Sequence, residues 1–151
     1  MSAGGDFALD LSKFAEKAGE AANAVISKIC LDLTYAIVLK TPVDTGRARA
    51  NWQASIGQPV SHTIEFSGDT GSNAVAPNKS RASEFAKANA EAAAFQAPGN
   101  VFYISNNLPY IASLEFGLYR PGPNTVGGFS KQAPSGMVRI SINEISRALR
   151  L

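Results

Sequence analysis

Apolar residues recur at every third or fourth position from residue 6 to residue 40, the clearest pattern in the chain. This spacing places them on one face of a helix, with charged residues between them. Thr41-Pro42 ends the predicted helix, because the residue before a proline is pushed out of the helical region. At about 1.5 Å per residue the helix is roughly 50 Å long, longer than a compact domain of this size is wide. We expect it to bend or to project toward a neighbouring chain.

The first half of this helix has more apolar face than a small sheet can cover. Uncovered apolar stripes on soluble proteins usually mark partner sites. We therefore predict that Phe7, Leu11 and Phe14 pack against an adjacent subunit or an adjacent ring.

After residue 46 the helical period changes to alternation, which is typical of a half-buried strand. The residues predicted to point inward are Ala48, Ala50, Trp52, Ala54 and Ile56, so Trp52 is predicted to lie in the core. A second strand centred on residues 63–66 follows Gly57-Gln58-Pro59 and could pair with the first as a hairpin. A third strand, residues 101–105, is apolar enough to lie inside the sheet.

The second half of the chain contains two further helices and a short helical turn. Residues 81–96 predict an alanine-rich helix with Phe85, Ala88, Ala92 and Phe95 on one side. Such a thin face gains little from burial, so we expect this helix to be the least firmly packed element. Pro109 and Gly117 suit the two ends of a helical turn, and Pro134-Ser135-Gly136 leads into the last helix.

Residues 119–134 are rich in glycine and proline and predict a loop without regular structure. Connections of this length exceed what a compact domain normally needs, and they tend to be functional or disordered. Phe129 supplies one apolar anchor and Lys131 one charge. We predict that the loop docks between neighbouring subunits and becomes ordered there.

These elements predict a single α+β domain over residues 1–151. A long N-terminal helix packs on a small, mainly antiparallel sheet, with an Ala-rich middle helix and a C-terminal helix. A chain of 151 residues can bury such a core without disulfides or metal.

Composition argues against several classes of function. With 14 basic and 12 acidic residues the chain is nearly neutral, so no strong field attracts nucleic acid or a membrane. Its apolar runs fall short of the roughly 20 residues of a membrane span, and we expect the chain to be cytosolic where it is made. Cys30 cannot form an internal disulfide and is predicted to be a small buried hydrophobe. No cofactor or metal is predicted, and His62 is assigned no chemistry.

Two Asp-Thr-Gly tripeptides, at residues 44–46 and 69–71, raise the question of an aspartic protease. That chemistry requires two carboxylates that share a proton. A single-chain, two-lobed enzyme needs roughly 100 residues or more per lobe, and the two copies lie only 25 residues apart. A homodimeric hydrolase using Asp44 or Asp69 stays open as the alternative.

The local sequence does not favour the homodimeric hydrolase. Neither aspartate follows an apolar strand, and the cation of Arg47 favours an ionised carboxylate at Asp44. We interpret both tripeptides as turns. The Asp44 side chain is expected to accept hydrogen bonds from turn amides, and Gly46 to adopt a backbone conformation that is costly for other residues.

Three ordered blocks of the sequence resemble a known family. They are "TPVDTGRARANW" from residue 41, "YIASLEFGLY" from residue 110 and "KQAPSGMVRISI" from residue 131. The combination resembles the head-tail connector proteins of tailed phages, in particular the minor tail protein Z group, the tail completion proteins of lambdoid phages. Residues 67–99 match least well and are interpreted as a variable loop-helix insertion within the domain.

The resemblance implies a structural, non-enzymatic protein that forms a ring at the head-proximal end of the phage tail or in the neck. Its implied role is joining the tail to the DNA-filled head. The implied partners are further copies of the chain, a tail terminator or tail tube protein, and head-closure or connector proteins. If the ring matches a tail tube, it is a hexamer. The implied location is the virion, with the host cytoplasm during assembly and no membrane.

The family motif matches this chain residue by residue. The matching residues are better evidence for the fold than for any particular contact with a partner. The matching positions are Asp44, Thr45, Gly46, Arg47, Tyr110, Glu115, Gly117, Ala133, Pro134, Gly136, Met137, Val138 and Arg139. Arg47 and Arg49, predicted to lie on one strand, could pair with carboxylates of a neighbouring subunit or face DNA in the ring's channel. The neighbouring carboxylates are the favoured partners.

Overall fold

The computed structural model describes the backbone of residues 3–149 and the side chains in that range except those of residues 3–15, 18 and 72. Helix α1 spans Ala3–Lys40 and ends where Thr41-Pro42 predicts. Thr41 closes it, because its hydroxyl donates to the carbonyl oxygen of Ile37 at 2.7 Å. Ile37 and Val38 are buried in the core, where α1 packs against the helices over residues 75–95 and 138–148.

Between residues 16 and 26, α1 has a surface segment, which we call the exposed segment of α1. Every described side chain from Glu16 to Ile26 is exposed, including Val25 at 55% and Ile26 at 41%. Within this segment Glu20, Asn23 and Ala24 line a surface cleft with Phe95 and Asn100 of the same domain. That the helix projects toward a neighbouring chain stays a prediction. The predicted contact residues Phe7, Leu11 and Phe14 lie outside the residues whose side chains are described.

Within α1, Gly19–Lys40 is long and apolar enough to cross a membrane by length and composition, with a mean hydropathy of 1.5. The expectation that no stretch reaches that threshold is therefore wrong. Helices that pack inside soluble proteins can meet the same criterion, and Thr34, Ile37 and Val38 of this stretch are buried against the rest of the chain.

Residues 47–56 do not form the continuous strand that alternation predicted. Helix α2, Arg47–Ala50, is a single turn, and strand β1 covers only Gln53–Ile56. The turn begins because Gly46 adopts φ 93° and its carbonyl accepts the amide of Ala50 at 2.9 Å. Trp52 is buried as predicted, and its indole N–H donates to the Thr41 hydroxyl at 2.7 Å.

Strand β1 pairs with β2, Phe102–Ser105, in antiparallel register, so the predicted hairpin with residues 63–66 is wrong. Those residues are not in a strand. The side chain of Asn51 binds their backbone instead. Its Nδ2 donates to the Ile64 carbonyl at 3.0 Å, and its Oδ1 accepts the Ile64 backbone amide at 2.7 Å. The Asn51 side chain satisfies backbone groups that a strand partner would otherwise bind.

After a 3-10 turn at Ser72–Ala74, helix α3 spans Val75–Phe95 and lies in the centre of the fold. It packs against α1, α2 and β1. The face of α3 that was predicted to pack, which contains Phe85 and Phe95, is the wrong one, because both side chains are exposed, Phe95 at 83%. The buried face consists of small side chains that let α3 approach closely: Ala82, Ala86, Ala90 and Ala94.

Helix α4, Ile111–Phe116, and helix α5, Val138–Ala148, agree with the predicted elements. Between them, residues predicted to lack structure form a hairpin of β3, Thr125–Val126, and β4, Phe129–Ser130. Gly127 and Gly128 both have positive φ, as the tight two-residue turn of such a hairpin requires. Five helices and two small antiparallel sheets among the described residues confirm the α+β class.

Candidate functional site

The first and third sequence blocks are joined by the side chain of Gln132. Its Oε1 accepts the amide of Val43 at 2.9 Å, and its Nε2 donates to the Val43 carbonyl at 3.0 Å. Both backbone groups of a buried residue are thereby satisfied by one side chain 89 positions away. The contact fixes the segment that leads into Asp44-Thr45-Gly46.

The second and third blocks are joined by Glu115, which is buried. Its carboxylate accepts the amides of Met137, Val138 and Arg139 at 2.7, 2.8 and 3.0 Å. The guanidinium of Arg139 adds a bond of 3.1 Å to the carboxylate and one of 2.7 Å to the Glu115 carbonyl. Glu115 thus binds the otherwise unpaired amides at the N-terminus of α5, where a negative charge also suits the helix dipole.

The electrostatics of Glu115 follow from these contacts. Burial alone raises the pKa of a carboxyl group, but the three backbone amides and the Arg139 side chain favour the ionised form. Their combined effect outweighs burial, so the pKa of Glu115 lies below its ordinary value. The carboxylate is a structural anion, ionised at neutral pH.

Phe129 packs against Gly117 of its own chain. Its ring lies against Gly117, where an added Cβ would be only 2.5 Å from the ring. Gly117 has φ 68° at the end of α4, as the predicted helix end requires. Phe129 is half-buried, and its docking role stays a prediction. Lys131 is exposed, and its backbone amide bonds to Asn124 in the hairpin.

Arg49 faces neither DNA nor a neighbouring subunit, because its side chain is buried in its own chain with 6% exposure. It donates to the carbonyl oxygens of Leu39 and Thr41 and to the hydroxyl of Ser83 at 2.8 to 3.2 Å. These carbonyls lie at the C-terminal end of α1, so the guanidinium caps the helix and complements its dipole. Burial lowers the pKa of Arg49. The helical turn α2 turned this side chain inward, which strand alternation could not predict.

The two Asp-Thr-Gly tripeptides lie side by side, joined by Asn78. Its Nδ2 donates to the carbonyls of Asp44 at 2.8 Å and Asp69 at 2.7 Å, while its Oδ1 accepts the Asp69 amide at 3.2 Å. Both aspartate side chains are exposed. The carboxylate of Asp44 accepts no hydrogen bond from a described residue, so the predicted capping role is wrong. A buried asparagine binds the backbone of both turns instead.

Gly46 has the conformation that the sequence predicted, with φ 93°. An added Cβ there would lie 2.9 Å from the Cβ of Ala82 and 3.0 Å from the ring of Phe66. Both the backbone angle and the close approach of α3 therefore require glycine.

A polar cleft of about 560 Å³ opens where the three blocks meet. The first block contributes its segment from Pro42 to Ala48, and Tyr110, Tyr119 and Gln132 line the other side. Arg47 is half-buried at this cleft, and its guanidinium forms no hydrogen bond or salt bridge with any residue described. Burial raises the pKa of the Tyr110 hydroxyl, an effect that the charge of Arg47 opposes and Tyr119 reinforces.

The other motif residues support the third block. Met137 is fully buried in the core, and Gly136 is buried directly before it. Pro134 is exposed in the turn that Gly136 closes through a bond to Ala133. Asn78, Gln132 and Asn51 were not predicted, because no periodicity marks an amide that will bind a distant backbone.

Other candidate chemistry is limited in the part of the chain with described side chains. No group of three or more His, Cys, Asp or Glu side chains there could hold a metal ion. His62 is exposed. Cys30 is half-buried rather than buried, and burial raises the pKa of its thiol.

Comparison with known proteins gave no match to a family model, a curated protein or a solved structure.

Proposed function

We propose that this chain is a structural virion protein of a tailed bacteriophage, a tail completion or neck protein. It assembles as a homo-oligomeric ring at the head-proximal end of the tail and is needed to join the tail to the DNA-filled head. Its neighbours are a tail terminator or tail tube protein on one side and head-closure or connector proteins on the other.

One observation carries the proposal. The three blocks on which the family resemblance rests form one interlocked unit, joined by Gln132 to Val43 and by Glu115 to the start of α5. A chance resemblance in separate blocks has no reason to fall on the residues that close the fold. The exposed segment of α1 adds support, because a ring subunit needs a surface that its own domain does not cover.

The test is genetic and uses the phage or prophage that encodes the chain. Deleting the gene should give lysates that contain DNA-filled heads and separate tails, counted by electron microscopy. Supplying the native chain should restore complete particles, and supplying the Glu115→Ala chain should not. Complete, infectious particles from the deletion lysate would show that the proposal is wrong.

A homodimeric aspartic-type hydrolase is the second candidate. The exposure of both Asp44 and Asp69 favours it, since either carboxylate is accessible to a second copy. This candidate predicts peptide cleavage that pepstatin inhibits and that the Asp44→Asn or Asp69→Asn substitution abolishes. Absence of cleavage across a range of peptide substrates and acidic pH values would remove it.

A further inference from the structure

Strand β2 belongs to a two-stranded sheet, so half of its backbone groups face away from β1. The ladder continues one step beyond the two strands, because the amide of Gly57 donates to the carbonyl oxygen of Val101 at 2.9 Å. In an antiparallel ladder only every second pair of residues exchanges hydrogen bonds. Counted from this pair, the backbone groups of Tyr103 and Ser105 are the ones that point toward β1.

The remaining groups of β2 form an open edge. The N–H and C=O of Phe102 and Ile104 point away from β1, and they form no hydrogen bond with a residue in the described part of the chain. Helix α3 packs against β1 and makes no comparable contact with β2. The edge of β2 is therefore the more accessible of the two. The unpaired groups of such an edge suit one kind of partner, another extended backbone.

Strand β2 lacks the features that normally protect an edge strand. Exposed edges are usually blocked by a charged side chain, a proline or a bulge. Residues 102–105 contain no charge and no proline, and they pair with β1 without interruption. The wider segment is uncharged as well, since no Asp, Glu, Lys or Arg occurs between Glu91 and Glu115. Two copies of this segment can therefore meet across a two-fold axis without repulsion between its own side chains.

The open groups of β2 are complementary to themselves. When two copies lie antiparallel with Tyr103 opposite Tyr103, Phe102 of each copy faces Ile104 of the other. Both pairs then exchange hydrogen bonds in both directions, which satisfies every outward backbone group of these two residues. Within β2, a register shifted by two residues satisfies only one of them. The two Tyr103 side chains meet in a non-hydrogen-bonded pair, where aromatic rings contact each other across strands.

We propose that β2 pairs with β2 of a second copy in an antiparallel, two-fold contact centred on Tyr103. The occupant is a second copy because the edge matches itself in hydrogen-bond pattern and register and brings no charge to the axis. The pairing is short, so the dimer is weak and depends on concentration. A two-fold contact closes on two copies. It therefore does not build the proposed ring and does not depend on it.

Disulfide trapping tests the contact directly. Cys30 is the only cysteine of the chain, so the Cys30→Ser protein supplies a background without thiols. In that background Tyr103→Cys places each thiol opposite its own copy, at a Cα separation of about 4.5 Å that suits a disulfide. We expect a disulfide-linked dimer after mild oxidation. The matched control is Ser55→Cys, which lies opposite Tyr103 on β1 and should stay monomeric.

Mixtures of single-cysteine proteins test the register. Val101 of one copy lies opposite Ser105 of the other, again as a non-hydrogen-bonded pair. Val101→Cys and Ser105→Cys should therefore form a mixed dimer, whereas each protein alone should form little. A mixture of Ser55→Cys and Tyr103→Cys tests the head-to-tail alternative. If its mixed dimer exceeds the Tyr103→Cys dimer, β2 pairs with β1 of the next copy and the inference is wrong.

Removal of one outward amide gives a second readout. Phe102→Pro deletes an N–H that points away from β1, so the ladder between β1 and β2 keeps its hydrogen bonds. The dissociation constant from sedimentation should rise on the order of tenfold or more, because both copies lose a donor. Phe102→Ala keeps the amide and should retain most of the association. Near-native tryptophan fluorescence verifies folding, and trapping at Tyr103 decides alone if the proline variant is unfolded.

The outcomes separate this contact from the ring. Rings formed by a protein that traps no dimer at Tyr103 overturn the contact and leave the proposed function standing. Trapped dimers of a protein that never forms rings support the contact and remove the ring. Hydrogen exchange identifies a different occupant. If the amides of Phe102 and Ile104 are protected only in intact tails, and the purified protein traps no dimer, another virion protein covers the edge and the inference is wrong.

Discussion

The junction of the three blocks and the exposed segment of α1 differ in where they place their charged side chains. At the junction, Arg49 and Glu115 are buried and each makes at least four hydrogen bonds. On the exposed segment of α1, Glu16 and Glu20 are exposed and form no salt bridge with a described residue. The junction uses its charges for folding, whereas the carboxylates of Glu16 and Glu20 lie at the surface.

The two buried charges, Arg49 and Glu115, show how the cost of burying a charge is offset. Each of them ends a helix: the cation Arg49 lies at the C-terminus of α1, and the anion Glu115 lies at the N-terminus of α5. Each charge therefore complements the helix dipole and binds backbone groups that the helix leaves unpaired. Arg49 achieves this with carbonyls and a hydroxyl, without a carboxylate partner among its hydrogen-bonded groups.

The largest expected effect is at Glu115. Glu115→Ala leaves three amides at the start of α5 without an acceptor and should lower the free energy of unfolding by about 3 to 4 kcal/mol. Urea denaturation followed by tryptophan fluorescence measures the loss. An effect below about 1 kcal/mol would contradict the structural role of this carboxylate.

Substitution of Arg49 should cause the next largest loss of stability. Arg49→Met keeps the apolar stem but removes the cap of α1, with an expected loss of about 3 kcal/mol. Arg49→Lys should recover only part of that loss, because an ammonium cannot reproduce the planar fork of donors. The matched control is Arg81→Met on the exposed side of α3. Equal effects at positions 49 and 81 would show that Arg49 does not cap α1.

Gly46 and Asp44 should differ strongly although only Thr45 separates them. Gly46→Val introduces strain at φ 93° and a clash with Ala82, with an expected loss of about 2 to 3 kcal/mol. Asp44→Asn should change stability little, because no described residue bonds to that carboxylate. Thermal unfolding of both variants decides the matter, and a larger loss for Asp44→Asn would reverse our interpretation of the turn.

The pH dependence of stability should isolate Glu115. Because its pKa in the folded state is below the unfolded value, its contribution is fully present above the unfolded pKa. That contribution is lost as pH falls through the folded pKa, in the acid range below the ordinary carboxyl value. Urea midpoints measured across this range should fall less steeply for Glu115→Gln than for the native chain. Parallel curves would show that Glu115 is not the group responsible.

The smallest effect on stability is expected on the exposed segment of α1. Ile26→Ser replaces an exposed apolar side chain and should leave the unfolding midpoint nearly unchanged, while it weakens self-association measured by light scattering. Ile37→Ser, a buried position of the same helix, is the contrasting variant and should unfold the protein more readily. Unchanged association for Ile26→Ser would remove this position from the contact surface.

Sequence periodicity located the strongest elements but not the pairing between them. The bounds of α1, the burial of Trp52 and the turns at Gly46 and Gly117 follow from local rules about proline, alternation and glycine. The partner of β1 does not, because residues 63–66 and 102–105 are both suitable for a strand and only tertiary contacts decide between them. The alanine face of α3 was missed because large apolar residues occupy the opposite face.

The candidate site was predictable in its motif residues and not in its chemistry. Glu115, Gly136 and Arg139 belong to the blocks, yet no sequence rule places their atoms together. Arg49 was assigned outward because a strand was expected where a helical turn forms. Gln132 and Asn78 act through side-chain amides on backbone groups far along the chain, a contact that leaves no pattern in a single sequence.

Electron microscopy of the purified native protein tests the central claim, that the chain assembles as a ring. The account predicts closed rings with one subunit number and a central channel. Particles that stay monomeric at every concentration, both alone and beside isolated tails, would contradict it.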